Sequence, residues 1–142
     1  MVSSRGLGDV YKRQGAKAVN PDINITVEYA GSFGDAPRGR QIAAAMYAND
    51  VDVIFHASGD TGNGVFSEAK DIVANDPSRN IWVIGVDRDQ EEEGIVEVDG
   101  EERHLTLTST LKAVGEAVKQ LSLIHISEPT RRHHVSRMPS SA

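Results

Sequence analysis

The sequence predicts an α/β fold, a parallel sheet with flanking helices, on three observations. Four short segments rich in Val, Ile and Thr have the alternating or continuous apolar character of strands: NITVEYA (24–30), VDVIFHA (51–57), NIWVIGV (80–86) and LTLTS (105–109). The stretches between them carry apolar residues at helical spacing. Each connection is long enough for a crossover, which favours parallel pairing with helices laid on the sheet. The second and third strands are apolar almost throughout, as burial on both faces requires.

In chain order, GAKAVNPD (15–22) reads as the last turn of a helix that begins further upstream. After the first strand comes GSFGDAPRG, where Asp35 suits a helix N-cap and Pro37 its first turn. Ile42, Ala45, Met46 and Asn49 then fall along one helical face. The next helix is expected from about Asn63, with Asn63 as its cap and Val65, Phe66, Ala69, Ile72 and Val73 as its apolar stripe. The run DQEEEGIVEVDGEE reads as a solvated loop because of its charge. A last helix is expected after Ser109, with Leu111, Val114 and Val118 on one face and Lys112 in its first turn.

The two ends read differently. Met1–Gln14 is MVSSRGLGDVYKRQ and Leu121–His134 is LSLIHISEPTRRHH. In an allowed set of codons, the reverse complement of the first translates as the second. Protein selection gives no reason for that relation, and both resemble translated sequencing-adapter DNA, as does the terminal SRMPSSA. Residues 1–14 and 121–142 are therefore expected to be adapter-derived and are set aside from fold reasoning. With them goes a reading of His125, His133 and His134 as zinc ligands, which lacks cysteine and a ligand spacing. Each end carries a net +2, so without them the net charge of −6 becomes −10.

An acidic segment of that kind argues against a nucleic-acid partner. No cysteine is present, which excludes disulfides and a thiol nucleophile. The apolar runs are far too short to cross a membrane. No repeat or flexible linker divides residues 15–120.

In open parallel sheets, ligands bind beyond the carboxyl ends of the strands. The segments there are GSFGD, SGDTGNG, DRDQ and TSTLK. Phe33, Asp87 and Lys112 offer an aromatic face, an anion and a cation, and glycines let backbone approach a ligand. That set suits a small polar ligand with a flat ring and hydroxyl groups. Plainer readings stand beside it. Phe33 also suits a plug at the sheet's end, Asp87 a cap or solvated turn, and Lys112 an ordinary surface lysine. Gly59, Gly62 and Gly64 also suit simple turns, and His56 reads as structural. SGDTGNG is neither a Walker loop nor GxGxxG. Asp35, Asp60 and Asp89 could act as bases, but no nucleophile elbow, paired-carboxylate or metal-spacing pattern accompanies them, so catalysis and metal binding are not favoured.

Together, VNPDINITVEYAGSFGDAPRGRQIAAAMY, DVDVIFHASGDTGNGVFSEAK, IWVIGVDRDQ and LTSTLKAVGEAV resemble the basic membrane protein family of substrate-binding lipoproteins, the PnrA-like purine nucleoside receptors. The resemblance covers essentially all of residues 15–120. It implies part of a type I periplasmic-binding-protein fold, mostly the second lobe. Residues 15–104 would form that partial lobe, and the strand and helix of 105–120 would cross back to a first lobe outside this chain. It also implies an extracytoplasmic, lipid-anchored parent that binds guanosine, inosine or adenosine and delivers it to an ABC permease, with no cofactor. By the same resemblance, Phe33 stacks on the base, Gly59 lines it, and Asp87 and Lys112 hold the ribose hydroxyls. The alternatives are a cytosolic ligand-sensing regulator on the same fold and an α/β enzyme acting on nucleosides. The chain by itself is expected to be poorly stable and to lack high-affinity nucleoside binding, since such clefts bury a ligand between two walls.

Overall fold

The computed structural model describes residues 2–3 and 7–127, with side chains from 10 to 124. The terminal residues 128–142, with His133 and His134, and the side chain of His125 lie outside the described residues. The chain divides into two compact units, Met1–Leu111 and Lys112–Ala142.

The first unit runs β1 (Val2–Ser3), α1 (Leu7–Val19), β2 (Glu28–Tyr29), α2 (Ala36–Ala48), β3 (Val53–Ala57), α3 (Gly62–Asn75), β4 (Trp82–Asp87), β5 (Ile95–Val98), β6 (Glu101–His104) and β7 (Thr106–Leu111). A five-stranded sheet takes the order β2-β1-β3-β4-β7, and every pairing in it is parallel. The fold is thus the α/β class read from the sequence: a parallel sheet flanked by helices, consistent with part of a periplasmic-binding fold. The second unit contains α4 (Val114–Ser127).

The core follows from the sequence pattern with one rotation. Ile42, Ala43, Met46 and Tyr47 of α2 join Val65, Phe66, Ala69 and Val73 of α3, with Ile54 and Val83 of the sheet, in one buried cluster. Ala43 and Tyr47 take the inward places expected for Ala45 and Asn49. Tyr47 is drawn in by donating its hydroxyl hydrogen to the Trp82 carbonyl at 3.2 Å, and burial pushes its phenol well above the ordinary range. Ile42, Ala45, Met46 and Asn49 still share a face, which lines an open cavity of about 1100 Å³ together with Val53, Phe55 and Ile84 of the sheet.

Asp35 caps α2 as expected, its carboxylate accepting the Arg38 N–H at 3.0 Å, with Pro37 in the first turn. Asn63 does not cap α3. The helix starts at Gly62 with Thr61 at the cap position, and the Thr61 hydroxyl makes no capping bond because it is engaged elsewhere. Gly39 and Gly64 are where α2 and α3 meet. A Cβ on Gly39 would lie 2.0 Å from the Thr61 carbonyl oxygen, and one on Gly64 would lie 1.9 Å from that of Ala36. Gly64 is therefore more than a turn residue: it is a contact point between two helices.

Three boundaries differ from expectation. Residues 24–30 form strand only at Glu28–Tyr29, because the neighbour on that side, β1, is two residues long and the ladder ends with it. The acidic run is not a loop throughout: Ile95–Val98 and Glu101–His104 pair antiparallel as a hairpin around Asp99-Gly100. Both turn residues have positive φ, 55° and 80°, the condition of a two-residue primed turn. Val98 and Leu105 are buried in the core, which is why a glutamate-rich ribbon holds. Finally, β7 extends to Leu111, pairing with β4 from Val83↔Thr106 to Asp87↔Leu111. The last helix accordingly starts at Val114, and Leu111 and Lys112 precede it.

Candidate functional site at the carboxyl edge of the sheet

Parallel pairing puts the carboxyl ends of β2, β3, β4 and β7 on one edge. Phe33 lies in the loop after β2, Gly59 in the loop after β3, and Asp87 is the last residue of β4. This edge therefore gathers three of the four residues singled out from the sequence. Lys112 follows Leu111 in the chain and begins the second unit.

Phe33 and Gly59 are close neighbours. A Cβ on Gly59 would meet the Phe33 carbonyl oxygen at 3.2 Å and its ring atom Cδ1 at 3.6 Å. Gly59 also has φ +56°, so the position favours glycine on both counts. Phe33 is 57% exposed, so it does not plug the end of the sheet. The two loops are tied by Thr61, which is fully buried. Its hydroxyl donates to the Ser32 carbonyl at 2.9 Å and accepts the Asp35 N–H at 2.9 Å. Its backbone N–H donates to the Phe33 carbonyl at 3.2 Å.

Asp87 is exposed and has φ +71°. The Arg88 N–H donates across it to the Val86 carbonyl at 2.9 Å, closing a three-residue turn of the rare, strained kind. Gln90 holds this turn from below. Its side-chain oxygen accepts the Val86 N–H at 2.9 Å and lies 2.9 Å from His56 Nε2. Its backbone N–H donates to Ser109 Oγ at 3.0 Å, and its carbonyl accepts from Thr106 Oγ1 at 2.9 Å. The amide oxygen crosses directly over Gly85, where a Cβ would lie 2.9 Å from it.

His56 is structural, as its place in the strand suggested. It is fully buried, stacked edge-on against Phe66 at 5.5 Å. Because the Gln90 oxygen is an acceptor, Nε2 carries the hydrogen and Nδ1 is bare. Nδ1 is buried against Gly62 with no hydrogen-bond partner among the described residues. Burial therefore lowers the imidazole pKa, against smaller upward pulls from Gln90, Asp87 and Glu93.

The remaining candidates for acid–base work are otherwise occupied or unsupported. Asp35 caps α2, and Asp89 accepts the Glu91 N–H at 3.1 Å. Asp60 lies exposed in the short turn Gly59–Thr61. Among the described residues no group of three or more His, Cys, Asp or Glu could hold a metal, and no helix is long and apolar enough to cross a membrane. The cavity of the first unit is lined by none of the four candidates. It lies beside α1, where Lys12 Nζ sits 4.4 Å from the Phe55 ring centroid.

Sequence reading missed Thr61 and Gln90. Each is a polar residue one short loop beyond a buried strand, a place where buried polar groups need partners, but their distant partners are invisible in a linear pattern.

A family profile described as "ABC transporter substrate-binding protein PnrA-like" matches residues 10–129. Among curated relatives, a "CD4+ T-cell-stimulating antigen" of Listeria monocytogenes is 57% identical over 109 residues, 76% of this chain and 30% of the relative. The "ABC transporter nucleoside-binding protein BmpA" of Lactococcus lactis is 46% identical over 110 residues, 76% of this chain and 31% of the relative. "Basic membrane protein A" of Borreliella burgdorferi is 36% identical over 116 residues, 82% of this chain and 30% of the relative. The chain thus spans about three-tenths of the length of these relatives.

Proposed function

The chain belongs to the PnrA-like family of ABC transporter substrate-binding proteins, and on that premise we propose that the whole protein captures a purine nucleoside outside the cytoplasmic membrane and hands it to an ABC permease. The family's work is binding a small molecule, and capture of this kind breaks no bond. The protein would be held at the membrane by an N-terminal lipid anchor.

The observation that carries the nucleoside reading is the juxtaposition of an exposed phenyl ring and a positive-φ glycine, with a strained aspartate turn on the same sheet edge. A flat base fits against the Phe33 face, and the bare backbone at Gly59 allows close approach. The Asp87 carboxylate offers two acceptors to paired ribose hydroxyls, bonds strengthened by charge. The motif TSTLK supports Lys112 as a cation for the same hydroxyls. A relative named as nucleoside-binding points the same way.

Isothermal titration of the full-length protein with inosine, guanosine, adenosine, free bases and ribose tests this. Purine nucleosides are expected to bind in the micromolar range or tighter. Asp87→Asn, which tolerates the positive φ, should weaken nucleosides about tenfold or more by removing charge-assisted bonds. Lack of nucleoside binding, or release of free base during the titration, overturns the reading.

A further inference from the structure

We propose that Thr61 is a positioning residue for the base-stacking face, acting on the ligand only through Phe33. This rests on the reading of Phe33 as the stacking platform. The segment Gly31–Asp35 has little to fix it by itself: Gly31 sits at φ +72°, and neither Gly31 nor Gly34 has any atom within 4 Å of where a Cβ would stand. Its internal tie is the Gly34 N–H donating to Ser32 Oγ at 3.2 Å. Three of its backbone groups, the carbonyls of Ser32 and Phe33 and the N–H of Asp35, instead bond to one residue of the next strand's loop. These lie at 32, 33 and 35, so the Phe33 backbone is gripped on both sides.

Thr61 can serve as that grip because it is itself fixed. Its carbonyl oxygen lies against Gly39 so closely that no Cβ fits there, and it is wholly buried. A β-branched residue has few χ1 choices, so the hydroxyl stays aimed. The same residue closes the turn that begins at Gly59. The placement of Phe33 beside Gly59 is therefore set by one hydroxyl and one N–H.

The test is a double-mutant cycle in the full-length protein, read as inosine affinity by calorimetry with melting temperatures recorded alongside. Thr61→Val keeps the shape and leaves the Ser32 carbonyl and Asp35 N–H without their partner. It should weaken inosine about tenfold. Thr61→Ser should stay within about twofold of wild type, because it keeps the hydroxyl. Phe33→Ala should also weaken binding. The double variant should be no weaker than Phe33→Ala, since residues acting through one another are not additive. If Val does not fold, Thr61→Cys, a weak donor of similar size, takes its place in the cycle.

Additive losses would mean a general structural role and overturn the proposal. So would a Thr61→Val protein that binds like wild type while Phe33→Ala does not, which leaves the stacking platform intact. A neutral Phe33→Ala would remove the platform, and with it this role of Thr61.

Discussion

Gly64→Ala reverses the usual consequence of putting alanine in a helix. In an exposed helical position that change stabilises by about 1 kcal/mol. Here the new methyl would lie 1.9 Å from the Ala36 carbonyl oxygen and 2.6 Å from the Arg40 nitrogen, both backbone atoms of α2. A carbon and a carbonyl oxygen settle at about 3.3 Å or more, so α2 must withdraw by well over an ångström. No side chain can rotate away to make room. Withdrawal opens the cluster of Ile42, Ala43, Met46, Val65, Phe66 and Ala69, and overpacking of this kind costs about 3 kcal/mol. Against the gain of about 1 kcal/mol in helix propensity, the net loss is about 2 kcal/mol. For a unit near one hundred residues that lowers the melting temperature by about 10 °C.

Urea midpoints and thermal melts of wild type and variant, followed by far-UV circular dichroism, measure it. Gly115→Ala is the control: its position lies in α4 with nothing within 4 Å, and it should melt no lower than wild type. A Gly64→Ala protein as stable as wild type, with an unchanged spectrum, would show that the helices do not meet there.

Two further outcomes follow from the polar groups beneath the carboxyl edge. His56 has a lowered pKa when folded, so between the unfolded value of about 6.5 and that lowered value the unfolded chain binds more protons. Its contribution to stability is complete above about pH 6.5 and is lost as pH falls through the folded pKa. The urea midpoint should drop from pH 8 to pH 5.5, while the His56 ring resonances of the folded protein show no titration near 6.5; a normal titration there would contradict the bare, buried Nδ1. Gln90→Leu strands two buried donors, the Val86 N–H and His56 Nε2–H, and should cost about 3 kcal/mol. Hydrogen exchange at Val86 should accelerate, and unchanged protection there would rule out the Gln90 anchor.

The α/β class was legible because burial of a parallel sheet writes continuous apolar runs into VDVIFHA and NIWVIGV, whatever their partners. The rotation of α2 was not, because the Tyr47 hydroxyl bond reaches 35 residues away to Trp82. The hairpin at 95–104 carries its signal in Asp99-Gly100 between alternating residues, but the density of glutamates there is also that of a solvated loop and masks the signal. At the edge itself, Phe33, Gly59 and Asp87 stood out because each follows a strand. Thr61 and Gln90 did not, since most of what they do depends on atoms 16 to 34 residues distant.

The backwards-curled tip of β4 has a kinetic consequence. Holding a non-glycine residue in the left-handed region costs roughly 1–2 kcal/mol, and that cost falls when the chain folds, before any solute arrives. On the proposed reading, a nucleoside diffusing to this rim meets a strand end already in its curled form, so arrival does not wait for the backbone there to rearrange. If Asp87 holds the ribose as proposed, discrimination there lies in residence: well-matched and ill-matched solutes reach it at similar rates, and the ill-matched ones leave sooner.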